Sequence, residues 1–263
     1  MTQRALIRRP SPRLADGLVT HIDRVPTDVA LAEAQWAGYA GALTDAGWQT
    51  VEVPAADDCP DSVFVEDTVV MVGDTAVITS PGADQRKSEI DGTALTLTEL
   101  GYPVQRVEDG TLDGGDVLKV GRTIYVGRTL RTDARGIAAF RAIAEPLGFT
   151  VVAVPTSKVL HLKSAVTALP DGSIIGFQPL VDNPGFWPHF RPMPEAAGSH
   201  VVDLGDGKLL MASSAPHSAE LLADLGYTPV PVDISEFEKL EGCVTCLSVR
   251  LRTPRQQDDH SVQ

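Results

Sequence analysis

Short apolar runs of strand length alternate along the chain with longer stretches in which apolar residues recur every three or four positions. Four of the longer stretches end in a glycine, an aromatic residue and a valine-rich run: AGWQTVEV (46–53), LGYPVQRV (100–107), LGFTVVAV (147–154) and LGYTPVPV (225–232). Glycine suits the left-handed position after a helix, so each motif predicts a helix end followed by a strand. We interpret AGSHVVDL (197–204) as a fifth, degenerate copy.

Between these motifs lie pairs of apolar runs joined by a short polar turn. They are TVVMVGDTAVITS (68–80), DVLKVGRTIYVG (116–127), SAVTALPDGSIIGF (164–177) and HVVDLGDGKLLMAS (200–213). The Gly-Asp, Gly-Arg and Asp-Gly pairs at their centres are typical of β-hairpins. The pattern therefore predicts a unit of hairpin, helix and strand that is repeated about five times along the chain.

Repeats of this length indicate a ring or stack with one shared core rather than two unrelated domains. We expect the ends of the chain to close the ring, with ALIRR (5–9) beside CLSVRL (246–251). Residues 1–252 are accordingly predicted to form a single α/β domain. The polar, aperiodic segment 253–263 is predicted to be disordered.

Composition narrows the classes of function. A net charge of −13 argues against nucleic-acid binding and is compatible with a small cationic substrate. The longest apolar runs have strand length, so no membrane span is expected. The N-terminal MTQRALIRRPSPR lacks the apolar core of a signal peptide. With three cysteines and no export signal, we predict a cytoplasmic protein without a disulfide framework.

Two of the three cysteines lie in GCVTCLSVRL (242–251). If residues 244–251 form a strand, alternate side chains point to opposite faces. Thr245, Leu247, Val249 and Leu251 then form one mostly apolar face. Cys246 lies on the other face, towards the space that the ring encloses, and Cys243 points the opposite way.

Several explanations of this pair stay open on the residues alone. A structural zinc site needs about four ligands, and the remaining cysteine, Cys59, lies far upstream in an acidic loop. A redox Cys-x-x-Cys belongs at a helix N-terminus, and strand geometry disfavours a disulfide between Cys243 and Cys246. A small buried apolar side chain is the ordinary role of a lone cysteine.

The sequence also contains the partners that a cysteine nucleophile would need. His161 lies in LHLKS (160–164), and acidic residues lie in PDSVFVEDTV (60–69) and LDGGDV (112–117). Carboxylates beside apolar strands are costly unless they meet a cation or hydrogen-bond donors. A guanidinium offers a planar set of N–H donors that two carboxylates can hold. A thiolate could then attack its central carbon while a histidine protonates the departing nitrogen.

The ordered set FVED, QRKSE (85–89), LDGGD, RTDARG (131–136), LHLKS and GCVTCLS resembles the dimethylarginine dimethylaminohydrolases. These belong to the guanidino-group-modifying superfamily, together with arginine deiminases and amidinotransferases. The resemblance extends over nearly the whole chain, from SPRLADGL (11–18) to CLSVRL. It implies a pentein fold, an α/β propeller with five-fold pseudo-symmetry in which five ββαβ-type units surround a central channel.

The resemblance also implies roles for individual residues. Cys246 matches the nucleophile that forms a covalent thiouronium with the substrate carbon. His161 matches the group that protonates the leaving amine and then activates water. Asp67 and Asp113 match the carboxylates that hold the guanidinium. No metal or cofactor is implied.

Further positions match the substrate pocket of the family: the acidic residues Asp61 and Glu66, the arginines Arg86 and Arg131 at the amino-acid end, the loop residue Leu18 and the backbone contact Leu240. Asp116 is interpreted as structural. The sequence departs from the family pattern in two places. Some relatives carry Glu at the position of Asp113, and Cys243 lies where relatives usually have another residue, so it receives no role.

The expected activity is hydrolysis of Nω-methylated arginine, asymmetric dimethylarginine or monomethylarginine, to citrulline and dimethylamine or methylamine. Arginine deiminase and amidinotransferase are the alternatives within the superfamily. A distant alternative is a non-catalytic protein that binds a metal or ligand. The expected partner is a small cationic amino acid, with no nucleic acid or membrane, and the protein is predicted to be a monomer or homodimer.

Overall fold

The structure is a computed structural model that describes residues 3–251. Its strands are β1 (Arg4–Ile7), β2 (Gln49–Glu52), β3 (Val69–Val72), β4 (Thr75–Ile78), β5 (Val104–Arg106), β6 (Val117–Val120), β7 (Thr123–Arg128), β8 (Thr150–Pro155), β9 (Val166–Ala168), β10 (Ile174–Gly176), β11 (Phe190–Pro192), β12 (Val202–Gly205), β13 (Lys208–Ala212), β14 (Thr228–Val232) and β15 (Val249–Leu251). Its α-helices are α1 (Val29–Asp45), α2 (Glu89–Glu99), α3 (Ala134–Ala144), α4 (Pro216–Asp224) and α5 (Ser235–Glu238).

The strands form five three-stranded sheets with one common plan. In four sheets the central strand pairs antiparallel with the strand before it and parallel with the strand after it, as β4 does with β3 and β5. In the remaining sheet β1 pairs antiparallel with β15 and parallel with β2. An α-helix connects the central and third strands in four sheets, as α2 does between β4 and β5. The predicted unit of hairpin, helix and strand is thus confirmed, and so is the α/β fold class.

The two ends of the described chain share one sheet. Strand β1 lies between β15 and β2, and Ala5 pairs with Arg250 in the antiparallel register. The fifth hairpin is therefore assembled from strands at opposite ends of the sequence, as the repeat pattern predicted. Residues from all five sheets line a cavity of about 630 Å³, which we call the central cavity.

The helices follow from local sequence. Helix α3 begins after Asp133, whose carboxylate accepts a hydrogen bond from Gly136 N at 2.7 Å and so caps the first turn. Its predicted apolar face is buried at Ile137, Phe140 and Ala144. None of the helices within residues 3–251 has the length and apolar character needed to cross a membrane.

The assignment of AGSHVVDL as a degenerate fifth copy was wrong. Its strand, β12, is the first strand of the hairpin with β13 and not the third, parallel strand of a unit. The third strand of the preceding sheet is β11, which follows two 3₁₀ turns instead of an α-helix. Without a helix there is no glycine stop signal, and a short edge strand that ends in Pro192 gives a weak pattern.

The prediction of a strand over residues 244–251 was also wrong in part. The strand comprises Val249–Leu251, and the residues around Cys246 form a turn. Cys246 N donates to Cys243 O at 3.0 Å, and Cys246 O accepts from Glu66 N at 3.2 Å. These bonds direct the backbone away from a sheet although the sequence alternates polar and apolar residues as in a strand. The predicted disordered segment, 253–263, lies outside the described residues, and the single domain over 1–252 stays a prediction.

Candidate active site

Four short turns converge at one end of the central cavity. Three are the 3₁₀ turns Val65–Thr68, Gly114–Asp116 and Leu162–Ser164, and the fourth contains Cys243 and Cys246. Each turn lies just before the first strand of its hairpin, so the repeated units bring equivalent positions together. The predicted site residues lie in or beside these turns.

Asp67, Asp113 and His161 form a buried cluster whose ligand atoms lie within 4.8 Å of one another. His161 Nε2 is 3.0 Å from Asp113 Oδ2, and His161 Nδ1 is 3.9 Å from Asp67 Oδ1. Gly115 N donates to Asp67 Oδ1 at 2.8 Å and fixes that carboxylate. Two carboxylates and an imidazole at this spacing could hold a metal ion or a planar organic cation.

The glycines of LDGGD are required by close packing in this cluster. A Cβ atom at Gly115 would lie 2.5 Å from His161 Nδ1 and 2.7 Å from Asp67 Oδ1. Neither atom could be approached so closely by a side chain. The Gly-Gly pair therefore allows the backbone of one unit to touch the acidic and histidine turns of its neighbours.

Neighbouring charges in the cluster shift the pKa values of both His161 and Asp67. Burial by itself lowers the pKa of His161, but the charges of Asp67 and Asp116 and the hydrogen bond with Asp113 raise it to about 9. Burial opposes ionisation of Asp67, yet the charges of His161 and Arg86 hold its pKa well below the usual range. The cluster thus contains an imidazolium and at least one carboxylate near neutral pH.

Arg86 is buried and engaged by protein groups. It pairs with Asp67 Oδ2 at 2.6 Å and with Glu89 Oε2 at 2.8 Å. It also donates to the carbonyl oxygens of Asp61 and Phe64, each at 3.2 Å. Arg86 therefore orients the Asp67 carboxylate in addition to any contact with a ligand.

Arg131 differs from Arg86 because its guanidinium has spare donors. Its Nη1 lies 3.7 Å from Asp113 Oδ2 and has no hydrogen-bond partner within residues 3–251. The residue is 8% exposed and Nη1 itself is buried, so an anionic group that pairs with Nη1 would have to enter the site.

Asp61, Leu18 and Leu240 lie together at the edge of the cluster. Both oxygens of Asp61 accept from Leu18 N, at 3.1 and 3.2 Å. Burial raises the pKa of Asp61 although Arg86 and the Leu18 amide favour its ionised form. Leu240 is buried and packs beside Gly17. The structure thus brings together these three predicted pocket residues.

The side chain of Glu66 is bound by two protein groups, Thr245 and Lys163. Its Oε2 accepts from Thr245 Oγ1 at 3.0 Å, and its Oε1 pairs with Lys163 Nζ at 2.5 Å. Glu66 and Lys163 also line the central cavity. Both oxygens of the Glu66 carboxylate are thus bound by protein groups, and its predicted place in the substrate pocket stays a prediction.

The turn with the candidate nucleophile places two sulfur atoms side by side. Cys246 is 7% exposed, and its Sγ lies 3.2 Å from Cys243 Sγ. The hydrogen bond with Cys243, burial and the negative charges of Glu66 and Asp67 hold the pKa of the Cys246 thiol well above its usual value. The prediction that Cys243 points away from Cys246 was wrong, because it assumed a strand.

Sequence reasoning missed several residues that support the site. Thr245 and Lys163 bind Glu66, as described above, and Glu241 accepts from the backbone N–H groups of Thr20 and His21 at 2.5 and 2.9 Å. Glu241 thereby fixes the loop after Leu18. Lys163 is part of LHLKS and could have been noticed there, whereas nothing in the sequence marks Glu241.

Fold and site together define a pentein hydrolase that acts on the C–N bonds of linear amidines. The chain is 63% identical over 252 residues to the N(G),N(G)-dimethylarginine dimethylaminohydrolase of Streptomyces coelicolor, with 95% of this chain and 98% of the relative covered. It is 33% identical over 258 residues to the enzyme of that name from Pseudomonas aeruginosa, with 95% and 100% covered. The chain therefore belongs to the dimethylarginine dimethylaminohydrolase family.

Solved structures agree with this assignment. The Pseudomonas aeruginosa enzyme complexed with citrulline has a TM-score of 0.88 at 33% identity, over 95% of this chain and 99% of that one. The N-terminal domain of a cyanobacterial arginine dihydrolase has a TM-score of 0.83 at 20% identity over 97% and 99%, which shows the shared fold. No protein-family model matches the sequence.

Proposed function

We propose that the chain hydrolyses Nω-methylated arginine to citrulline and releases dimethylamine or methylamine. The observation that carries this proposal is the buried Asp67–His161–Asp113 cluster beside the Cys246 turn, a cation site next to a thiol. The names of the two relatives support it, as does the citrulline complex of one of them.

Binding follows from the arrangement of charge. Asp67 and Asp113 hold the guanidinium from its N–H edges, and Arg131 meets the carboxylate at the amino-acid end through its spare donors. Leu18 and Asp61 border the pocket from the N-terminal loop. The same carboxylates satisfy the geometry of a metal site, and the proposal assigns them to the organic cation.

The reaction begins when the cationic guanidinium arrives beside Cys246. Its charge lowers the pKa of the thiol, which releases its proton to solvent, and the sulfur bonds to the guanidinium carbon. His161 protonates the substituted nitrogen, the C–N bond breaks and the amine leaves. His161, now neutral, removes a proton from water. The resulting hydroxide adds to the thiouronium carbon and the C–S bond breaks. The hydroxyl proton of the adduct passes to the sulfur, which restores the thiol as citrulline is released.

Glu66 acts as a positioning residue in this proposal. Through Thr245 and the Cys246 carbonyl it fixes the nucleophile turn, and through Lys163 it fixes the turn that follows His161. One carboxylate thus connects the two segments that carry out the chemistry. Asp116, which accepts from Leu162 N at 2.8 Å, supports the histidine turn from another side.

We also place the enzyme in the cytoplasm. Two thiols 3.2 Å apart must stay reduced for Cys246 to react, and a reducing compartment maintains that state. The monomeric or homodimeric state stays a prediction.

The proposal is tested by measuring citrulline and amine release from asymmetric dimethylarginine, monomethylarginine and arginine. We expect turnover of the methylated substrates and its loss in Cys246→Ala. Cys59→Ala removes a buried thiol that lies 3.2 Å from Ser88 Oγ and outside the Cys243–Cys246 turn, so it is the matched control and should retain activity. If the enzyme preferred arginine, it would be an arginine deiminase. If Cys246→Ala stayed active, Cys246 could not be the nucleophile.

A further inference from the structure

Cys243 and Cys246 are arranged so that their sulfur atoms can be joined. The sulfurs are 3.2 Å apart, and the bond from Cys246 N to Cys243 O closes a four-residue turn. A disulfide has an S–S length of about 2.05 Å, so a shift of about 1 Å at the side chains would complete it. Both cysteines are free thiols in this structure. The structure removes the geometric objection that a strand would have raised against this bond.

Cys243 is also the cysteine that a small solute can reach without entering the guanidinium site. It lines a cavity of about 450 Å³, together with His21, His200 and Glu241. The carboxylates Asp67 and Asp113 do not line this cavity, so it approaches the sulfur pair from another side. An uncharged oxidant that enters this cavity can therefore meet Cys243, which is 5% exposed, whether the cation site is empty or filled.

The surroundings of Cys243 favour its reaction with an oxidant. Its hydrogen bond with Cys246, the nearby His200 and the hydroxyl of Thr245, 3.3 Å away, hold the pKa of Cys243 below its usual value although burial opposes this. Thiolates, and not thiols, react readily with peroxides.

We propose that Cys243 and Cys246 form an oxidative modification site for hydroperoxides, at which a reversible disulfide switches off the nucleophile. The Cys243 thiolate attacks the O–O bond of the hydroperoxide, forms a sulfenic acid and releases an alcohol, or water when the oxidant is hydrogen peroxide. Cys246 then attacks that sulfur, the S–S bond forms and water leaves. The two thiols supply the two electrons that reduce the peroxide.

Two consequences follow for the enzyme. The disulfide occupies the sulfur that must attack the guanidinium carbon, so activity stops. It also protects both sulfurs from irreversible oxidation to sulfinic acid, because the Cys243 sulfenic acid is consumed and Cys246 is no longer a free thiol. Small dithiols restore both cysteines by exchange. The loss of activity rests on the proposed function, whereas formation of the bond does not.

The test uses the full chain, titrated with hydrogen peroxide and followed by intact mass, by alkylation of free thiols and by activity. In the wild type we expect a mass lower by two hydrogen atoms, a peptide that links Cys243 with Cys246, and a free Cys59. Activity should fall at least about tenfold with formation of the link and return with dithiothreitol.

Matched variants separate this site from general oxidation. Cys59→Ser should behave as the wild type. Cys243→Ser cannot form the link, so in excess peroxide its activity should be lost through oxidation of Cys246 to sulfinic or sulfonic acid, which dithiothreitol does not reverse. Oxygen addition without a link in the wild type, no oxidation of the pair, or equal recovery of Cys243→Ser would overturn the proposal. A preparation that forms the link but has no activity before treatment would refute the proposed function alone.

Discussion

At the scale of single residues, His161 shows how a buried position can keep a histidine charged. Burial disfavours the imidazolium, but Asp67, Asp113 and Asp116 surround the ring and raise its pKa to about 9. A raised pKa means that the protonated form persists below about pH 9 and is lost as the pH rises through that value. In the proposed mechanism the donor to the leaving amine is therefore protonated at neutral pH.

We predict that kcat/KM decreases on the alkaline side of about pH 9, as His161 loses its proton. In Asp113→Asn the alkaline decrease of the residual activity should begin at a lower pH than in the wild type. The hydrogen bond and the negative charge of Asp113 both favour the His161 imidazolium, and the variant loses this support. Full pH profiles of both proteins check this. An unchanged alkaline limb in the variant would show that another group titrates there.

Much of the site could be predicted from sequence at this scale. The motifs predict Asp67, Asp113 and His161 as site residues, and the structure brings these three together. They do not identify the direction of the Glu66 side chain, which is decided by Thr245 and Lys163 from other parts of the chain.

At the scale of elements, the site consists of turns held to one another and not of strands. The alternation of side chains from 244 to 251 is that of a strand, yet the backbone bonds of Cys246 go to Cys243 and Glu66. A local pattern cannot predict this outcome, because the decisive partner lies about 180 residues upstream in sequence. Glu66 is the residue that connects the nucleophile turn with the histidine turn.

Glu66→Gln removes the ion pair with Lys163 while an amide oxygen can still accept from Thr245. We expect kcat to fall about tenfold or more with little change in KM, since a lost charge-assisted bond of about 1.5–3 kcal/mol would misalign the turns and not the cation site. Initial-rate kinetics measure this split, and alkylation of Cys246 across pH gives an independent readout.

Thr245→Val is the matched variant for Glu66→Gln, because it removes only the hydroxyl at nearly constant volume. It should shift kcat in the same direction by a smaller factor. A rise in KM at unchanged kcat in Glu66→Gln would instead show that the Glu66 carboxylate contacts substrate.

At the scale of the whole molecule, ring closure by distant strands supports the site. Leu6 on β1 is fully buried in a cluster with Val65, Val69, Val249 and Leu251. Val65 begins the turn that contains Asp67, and Val249 begins the strand after Cys246. The five-unit plan was predictable because its motifs repeat, whereas the unit that ends in β11 was not, because it lacks the helix on which the motif depends.

Leu6→Ala should lower the free energy of unfolding by about 2–5 kcal/mol through lost burial and the cavity left behind. Leu95→Ala is the control, because Leu95 is 54% exposed and its truncation should change stability by about 0.5 kcal/mol or less. Urea unfolding of the three proteins measures the difference. Equal effects of the two variants would show that closure through β1 adds little stability.

The most direct measurement of the central claim is the mass of the enzyme quenched with acid during turnover of asymmetric dimethylarginine. We predict an adduct equal in mass to the substrate less dimethylamine, mapped by peptide digestion to Cys246 and absent from Cys246→Ala. Citrulline formation by Cys246→Ala at the wild-type rate, or an adduct on another residue, would contradict the covalent mechanism.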